Sequence, residues 1–152
     1  MPLAITSPVL EHGGTIPTRH SRDGENLSPP LEWHGAPRDT RSFVLVVDDP
    51  DTPSGTFFHW AMYDISSDTA RLPEGAGRKH VQARQGVNGF GNARYDGPQP
   101  PKGHGPHHYC FRLTALNVPR LDLGASAKVE EVWAASSRHI IEETELENLY
   151  KR

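Results

Sequence analysis

The chain has 152 residues, 35% hydrophobic and 23% charged, with a formal net charge of -3. That length fits one domain, residues 1–152, able to bury a core without staples. The charge argues against a nucleic-acid binder, which carries a basic face. The single cysteine, Cys110, excludes an intramolecular disulfide.

No apolar run approaches the ~20 residues of a membrane helix. The N-terminal "MPLAITSPVL" lacks a basic leader and long apolar core. The expectation is a soluble cytoplasmic protein without integral membrane contact. Gly and Pro, 14 of each, point to many turns and short strands.

Residues 1–40 are rich in turn signals, and "NLSPPLEW" reads as an edge strand or rigid arm with Trp33 in the core. "SFVLVVDD" is a continuous apolar, β-branched run, expected as a strand buried on both faces. In "FFHWAMYDI", alternation puts Phe57, His59, Ala61, Tyr63 and Ile65 on one face, and Phe58, Trp60, Met62 and Asp64 on the other.

Residues 66–106 hold few apolar side chains, but "GFGNARYDGPQPP" mixes aromatics with Gly and Pro and predicts an ordered loop. "HHYCFRLTALN" predicts a strand with His107, Tyr109, Phe111, Leu113 and Ala115 on one face. "SAKVEEVWAASSRHIIEETEL" has helical spacing at Val129, Val132, Trp133, Ser136 and Ile140, with Ser126 as N-cap. A short second helix is expected to end at "LENLYKR". Strands first and a helix last predict a mainly β fold, a β-sandwich of antiparallel sheets with a C-terminal helix and long Pro/Gly-rich loops.

The polar residues in apolar surroundings are Asp48, Asp49, Asp51, His59 and His107. Asp48 is most simply a turn residue, whereas Asp49 and Asp51 flank Pro50 and are held stiffly. A lone His59 in an apolar strand reads as a core residue. His107, opening another apolar strand beside Tyr109, turns the set into a candidate polar pocket in which two imidazoles donate to an anion and an Asp orients one of them.

A metal centre at His104, His107 and His108 is disfavoured, because His107 and His108 alternate to opposite faces and the spacing matches no standard zinc pattern. Ser54 and Ser28 lack a nucleophile elbow. Cys110 lies mid-strand and reads as a small hydrophobe. The "GVNGFG" glycines do not join a strand to a helix, so a phosphate-cradling loop is unsupported.

The segments "SFVLVVDDPDTPSGTFFHW" and "GFGNARYDGPQPPKGHGPHHYCFRLTALN", with "GGTIPTRHSRDGENLSPPLEW" before them and "LYKR" at the end, resemble the phosphatidylethanolamine-binding protein family, also called Raf kinase inhibitor-like proteins, and most closely its short bacterial branch. The resemblance covers nearly the whole chain. It implies a β-sandwich in which the two motifs line one small anion pocket. Its ligand-binding residues fall on Asp49, Asp51, Pro53, Phe58, His59, Pro101, His107 and Tyr109, with no cofactor and no metal. It implies ligands such as a phosphoethanolamine head group or acetate.

Three departures stand out. His108 replaces the family's usual Arg, with a local ion pair expected to be lost. Gln99 stands where bacterial members often have Cys, and Gly89 where they often have Asp. The polar tail "ETELENLYKR" is not expected to close the site.

The leading reading is a non-catalytic protein that binds a small anionic or phosphorylated molecule and modulates a protein partner. The alternatives are a kinase or protease inhibitor acting through its surface, and a hydrolase using His59 or His107 as general base. A homodimer is left open.

Overall fold

The structure is a computed structural model and describes residues 2–78 and 82–152. Residues 79–81, inside the long polar stretch 66–106, lie outside the described residues. Two antiparallel sheets form the sandwich. The smaller has the order β1 (Ala4–Thr6), β2 (Leu31–His34), β5 (Arg71–Leu72). The larger runs β6 (Arg84–Gln85), β4 (Gly55–Ser66), β3 (Ser42–Thr52), β7 (His107–Leu116), β8 (Ile140–Tyr150).

β3 is central and buried on both faces, as its apolar run predicts. Phe43, Leu45 and Val47 face the inter-sheet core with Trp33, Trp60, Met62 and Phe111. Val44 and Val46 face a second core closed by Val129 and Val132 of α1 (Val129–Ser136). The same alternation sends the adjacent Asp48 and Asp49 to opposite faces. Asp48 is no turn residue: on the helix side its carboxylate accepts from Arg112 Nε at 2.7 Å. Asp49 continues the row of Phe43, Leu45 and Val47. Trp33 is buried as expected and donates its indole N–H to the Thr69 carbonyl at 3.0 Å.

Strict alternation fails along β4, because two bulges interrupt it. Val47 opposes Trp60 and Asp48 opposes Phe58, which leaves His59 as the extra residue. A second irregularity lies between the Phe43/Ile65 and Leu45/Met62 pairs, where Asp64 has φ 58°. Each bulge shifts the side-chain phase by one. Trp60, Met62 and Ile65 therefore share the inter-sheet core, while Ala61 and Tyr63 face α1. The grouping of His59 with Ala61 and Tyr63 is corrected accordingly.

Two further expectations are corrected. Leu31–His34 is the middle strand of its sheet, paired on both sides, not an edge. The helix is shorter than its pattern, and the segment read as its continuation, together with the expected second helix, is strand β8. Ser136 and Ser137 turn their hydroxyls back onto the Trp133 and Ala134 carbonyls and end the helix. Beyond them Leu146, Asn148 and Tyr150 are buried, with half-buried or exposed residues between. That is a period of two, realised by antiparallel pairing with β7 from Tyr150 opposite His107 to Ile140 opposite Leu116. The N-cap is Lys128, whose N–H meets the Glu131 carboxylate at 3.2 Å, and not Ser126.

Candidate functional site

A cavity of about 140 Å³ opens where the end of β3, the bulge of β4 and the start of β7 meet the loop after β6. Asp49, Thr52, Phe57, His59, Phe90, Gln99, Pro100, Pro101, His107 and Tyr109 line it. Its volume suits a head group and not a drug-sized ligand.

The structure brings together Asp49, His59, Pro101, His107 and Tyr109 of the expected site residues. It does not bring in the other three. Asp51 turns outward, and its carboxylate takes both the backbone N–H and the ring Nδ1 of His108, at 2.6 and 2.7 Å. The expected loss of an ion pair at His108 is thus corrected, since His108 makes one with Asp51. Pro53 is exposed in the β3–β4 turn. Phe58 lies on the opposite face of β4, against Trp133 at 6.2 Å between ring centroids.

Asp49 is a positioning group. Its Oδ2 accepts from buried His107 Nδ1 at 2.7 Å, and its Oδ1 accepts the Asp51 N–H at 2.8 Å. The Tyr109 hydroxyl is held protonated by burial first, then by the charge of Asp49 and a hydrogen bond to it. His107 Nε2 meets His104 Nδ1 at 3.3 Å, so a buried histidine is linked to an exposed one. His108 faces away, and the His104/His107/His108 set does not converge. Among the described residues no group of three His, Cys, Asp or Glu side chains is placed to hold a metal.

His59 sits among aromatic rings, edge-on to Phe57 at 5.0 Å, Tyr109 at 5.3 Å and Phe90 at 5.7 Å. Its Nδ1–H donates to the Asp96 carbonyl at 2.8 Å. Burial pushes its pKa down, and the Asp96 and Gly97 carbonyls and nearby carboxylates do not offset this. His59 is therefore neutral, with Nε2 carrying the lone pair. The expectation that both imidazoles donate to an anion is corrected for His59, which accepts.

The depressed value has a consequence for stability. Between it and the ordinary value of ~6.5, the unfolded chain binds more protons than the folded one. Stability from this group is present above pH ~6.5 and is lost as pH falls through that window. Melting temperature should drop on acidification below pH 6.5, and His59→Gln should flatten that limb. An unchanged slope in the variant would contradict the assignment. His108 has the opposite sign, because its bond to Asp51 raises its pKa, but both partners are over a third exposed and the effect is small.

Sequence reasoning missed the group that holds the loop. Asp96 is buried, and its carboxylate accepts from the side-chain amides of Asn26, Asn88 and Asn92, each at 2.9 Å. Burial alone would raise its pKa; these amides and Arg94 outweigh it and hold it below the carboxylate range. Asn88 also accepts the Phe90 and Asn92 N–H groups through Oδ1. Asn-rich turn chemistry in "VNGFGNARYD" was the available signal.

The Gly89 departure also acquires a reason. A Cβ there would lie 2.5 Å from the Phe57 ring, which instead packs edge-on to Phe90 at 4.8 Å. A side chain at position 89 would have to displace this aromatic wall.

A model of the phosphatidylethanolamine-binding protein family matches residues 6–151. The chain belongs to that family. A UPF0098 protein of Aquifex aeolicus is 40% identical over 99% of this chain and 89% of its own length. UPF0098 protein YbhB of Escherichia coli is 38% identical over 82% of this chain and 85% of its own. The crystal structure of E. coli YbcL, described as a new member of the mammalian family, superposes with TM-score 0.95 at 32% identity, covering 100% of this chain and 99% of that one.

These matches place the chain in the YbhB/YbcL-type branch of this β-sandwich family, whose members are typically non-catalytic. Among the described residues no helix is long and apolar enough to cross a membrane.

Proposed function

We propose that the chain, acting as one domain, binds a small anionic or phosphorylated molecule of phosphoethanolamine type in the Asp49/His59/His107/Tyr109 cavity. The observation that carries this reading is the Asp49–His107–His104 chain opening into a small, mostly apolar-walled cavity. Asp49 fixes the His107 ring, and a proton on the His104–His107 pair supplies the positive charge a phosphate needs. Among the described residues lining the cavity there is no lysine or arginine, so the histidines are the source of cationic donors. Phe57, Phe90, Pro100 and Pro101 exclude water and strengthen those bonds. His59 Nε2 accepts from an ammonium or a protonated ligand oxygen. A zwitterionic head group carries groups for both histidine types. Modulation of a kinase, a protease or another protein partner would follow from ligand occupancy at this rim.

The test is a thermal-shift panel of phosphoethanolamine, phosphotyrosine, nucleotides, phosphate and acetate. A ligand at 100 times its Kd adds about 2.7 kcal/mol, a shift of roughly 5–10 °C. The head-group compounds should shift the wild type and not His107→Ala. Equal shifts in both would remove the cavity from the account.

A further inference from the structure

Each side-chain donor around the cavity can be traced to its acceptor. His59 Nδ1–H is committed to the Asp96 carbonyl at 2.8 Å. His107 Nδ1–H is committed to Asp49 at 2.7 Å. His107 Nε2 then receives the His104 Nδ1–H at 3.3 Å when the pair is neutral. Tyr109 O–H is directed to Asp49, and the Thr52 hydroxyl to the Gly55 carbonyl. What remains is the amide of exposed Gln99, in a cavity also lined by Asp49 and by His59, whose Nε2 is the ring nitrogen not bonded to Asp96. The titratable groups that face the cavity histidines from the packed elements are Asp49 of β3, Tyr109 of β7 and Asp96 of the loop after β6. Beyond the hydrogen shared within the His104–His107 pair, these side chains leave the cavity few free donors and several acceptors.

Resting on the binding reading above, we infer that this cavity recognises the P–OH hydrogen of a phosphomonoester monoanion, through His59 Nε2, and rejects sulfate esters of the same shape. A phosphomonoester has its second pKa near ~6 and carries that hydrogen in a large fraction of molecules at pH 6. A sulfate ester has only acceptor oxygens there. Against His59 Nε2 it would set lone pair against lone pair in a closed, apolar-walled space. Sites built to bond a ligand hydroxyl reject analogues that lack it, because the site's own buried group is left unpaired.

The experiment is calorimetric titration of the full chain at pH 6.0 with methyl phosphate and, separately, methyl sulfate. Methyl phosphate should bind about 100-fold more tightly. Equal affinities would overturn the inference and leave the binding reading standing. Binding by neither ester, nor by phosphoethanolamine, would overturn the binding reading and the inference with it. His59→Gln, whose amide both donates and accepts, should reduce the ratio to within about tenfold. A ratio unchanged in that variant would overturn the role of His59, and the wild-type comparison stands even if the variant does not fold.

Discussion

Asp96→Ala is expected to lower the melting temperature by roughly 10 °C and to abolish head-group binding. The substitution strands amide donors of Asn26 and Asn92, while Asn88 keeps the His59 and Arg94 carbonyls. Each stranded donor costs about 1–3 kcal/mol, and with both half-buried a total of about 3 kcal/mol is expected. For a chain of this size, that corresponds to about 3 °C per kcal/mol. The effect reaches the cavity because the same residue's carbonyl fixes the His59 tautomer and its N–H meets the His59 carbonyl. Asp96→Asn keeps the shape but turns one acceptor into a donor, and should fall between wild type and Ala. A melting curve for Asp96→Ala within 2 °C of wild type would contradict this view of the loop. The carboxylate's depressed pKa gives the matching pH signature: its contribution is present above the ordinary value of ~3.9 and is lost only as pH falls further.

Asp49→Ala has the second largest expected effect. It removes the acceptor of the buried His107 Nδ1–H and of the Asp51 N–H, and leaves the Tyr109 hydroxyl without its partner. A loss of about 2–4 kcal/mol of stability follows from the stranded donors. Phosphoethanolamine binding should weaken at least about tenfold in the fraction that stays folded, because His107 is free to rotate and to exchange tautomers. Calorimetry below the variant's melting temperature separates the two effects. Wild-type affinity in a destabilised Asp49→Ala would show that Asp49 serves the fold alone.

The sandwich was legible because its central strands carry strong local signals. β3 is an unbroken β-branched run, and β7 alternates without a bulge from His107 to Ala115. Asp49, His59, His107 and Tyr109 were legible as polar residues out of place in such strands. What was hidden was non-local. Nothing near His59 announces that it is the extra residue of a bulge, and a bulge moves a side chain to the other face without changing composition. β8 was misread because the Glu-rich "IIEETELENLY" offers helix formers at every turn, and only β7 beside it selects the extended form. Phe58 neighbours cavity residues in sequence, yet alternation turns it away; Asp51 shares the parity of Asp49 and turns outward only where the irregularity between Asp49 and Thr52 breaks the alternation. Asp96 and its three asparagines come from residues 26, 88, 92 and 96, and only folding assembles them.

The central claim is that a head-group ligand sits against the oriented histidines of this cavity. The most direct measurement is the side-chain ¹⁵N NMR spectrum of the histidines during titration with phosphoethanolamine. Saturable shifts of the His59 and His107 ring nitrogens are expected, with His59 keeping its Nδ1–H tautomer and His34, on the small sheet, unmoved. Saturable binding that leaves His59 and His107 unshifted would place the ligand elsewhere and contradict the account.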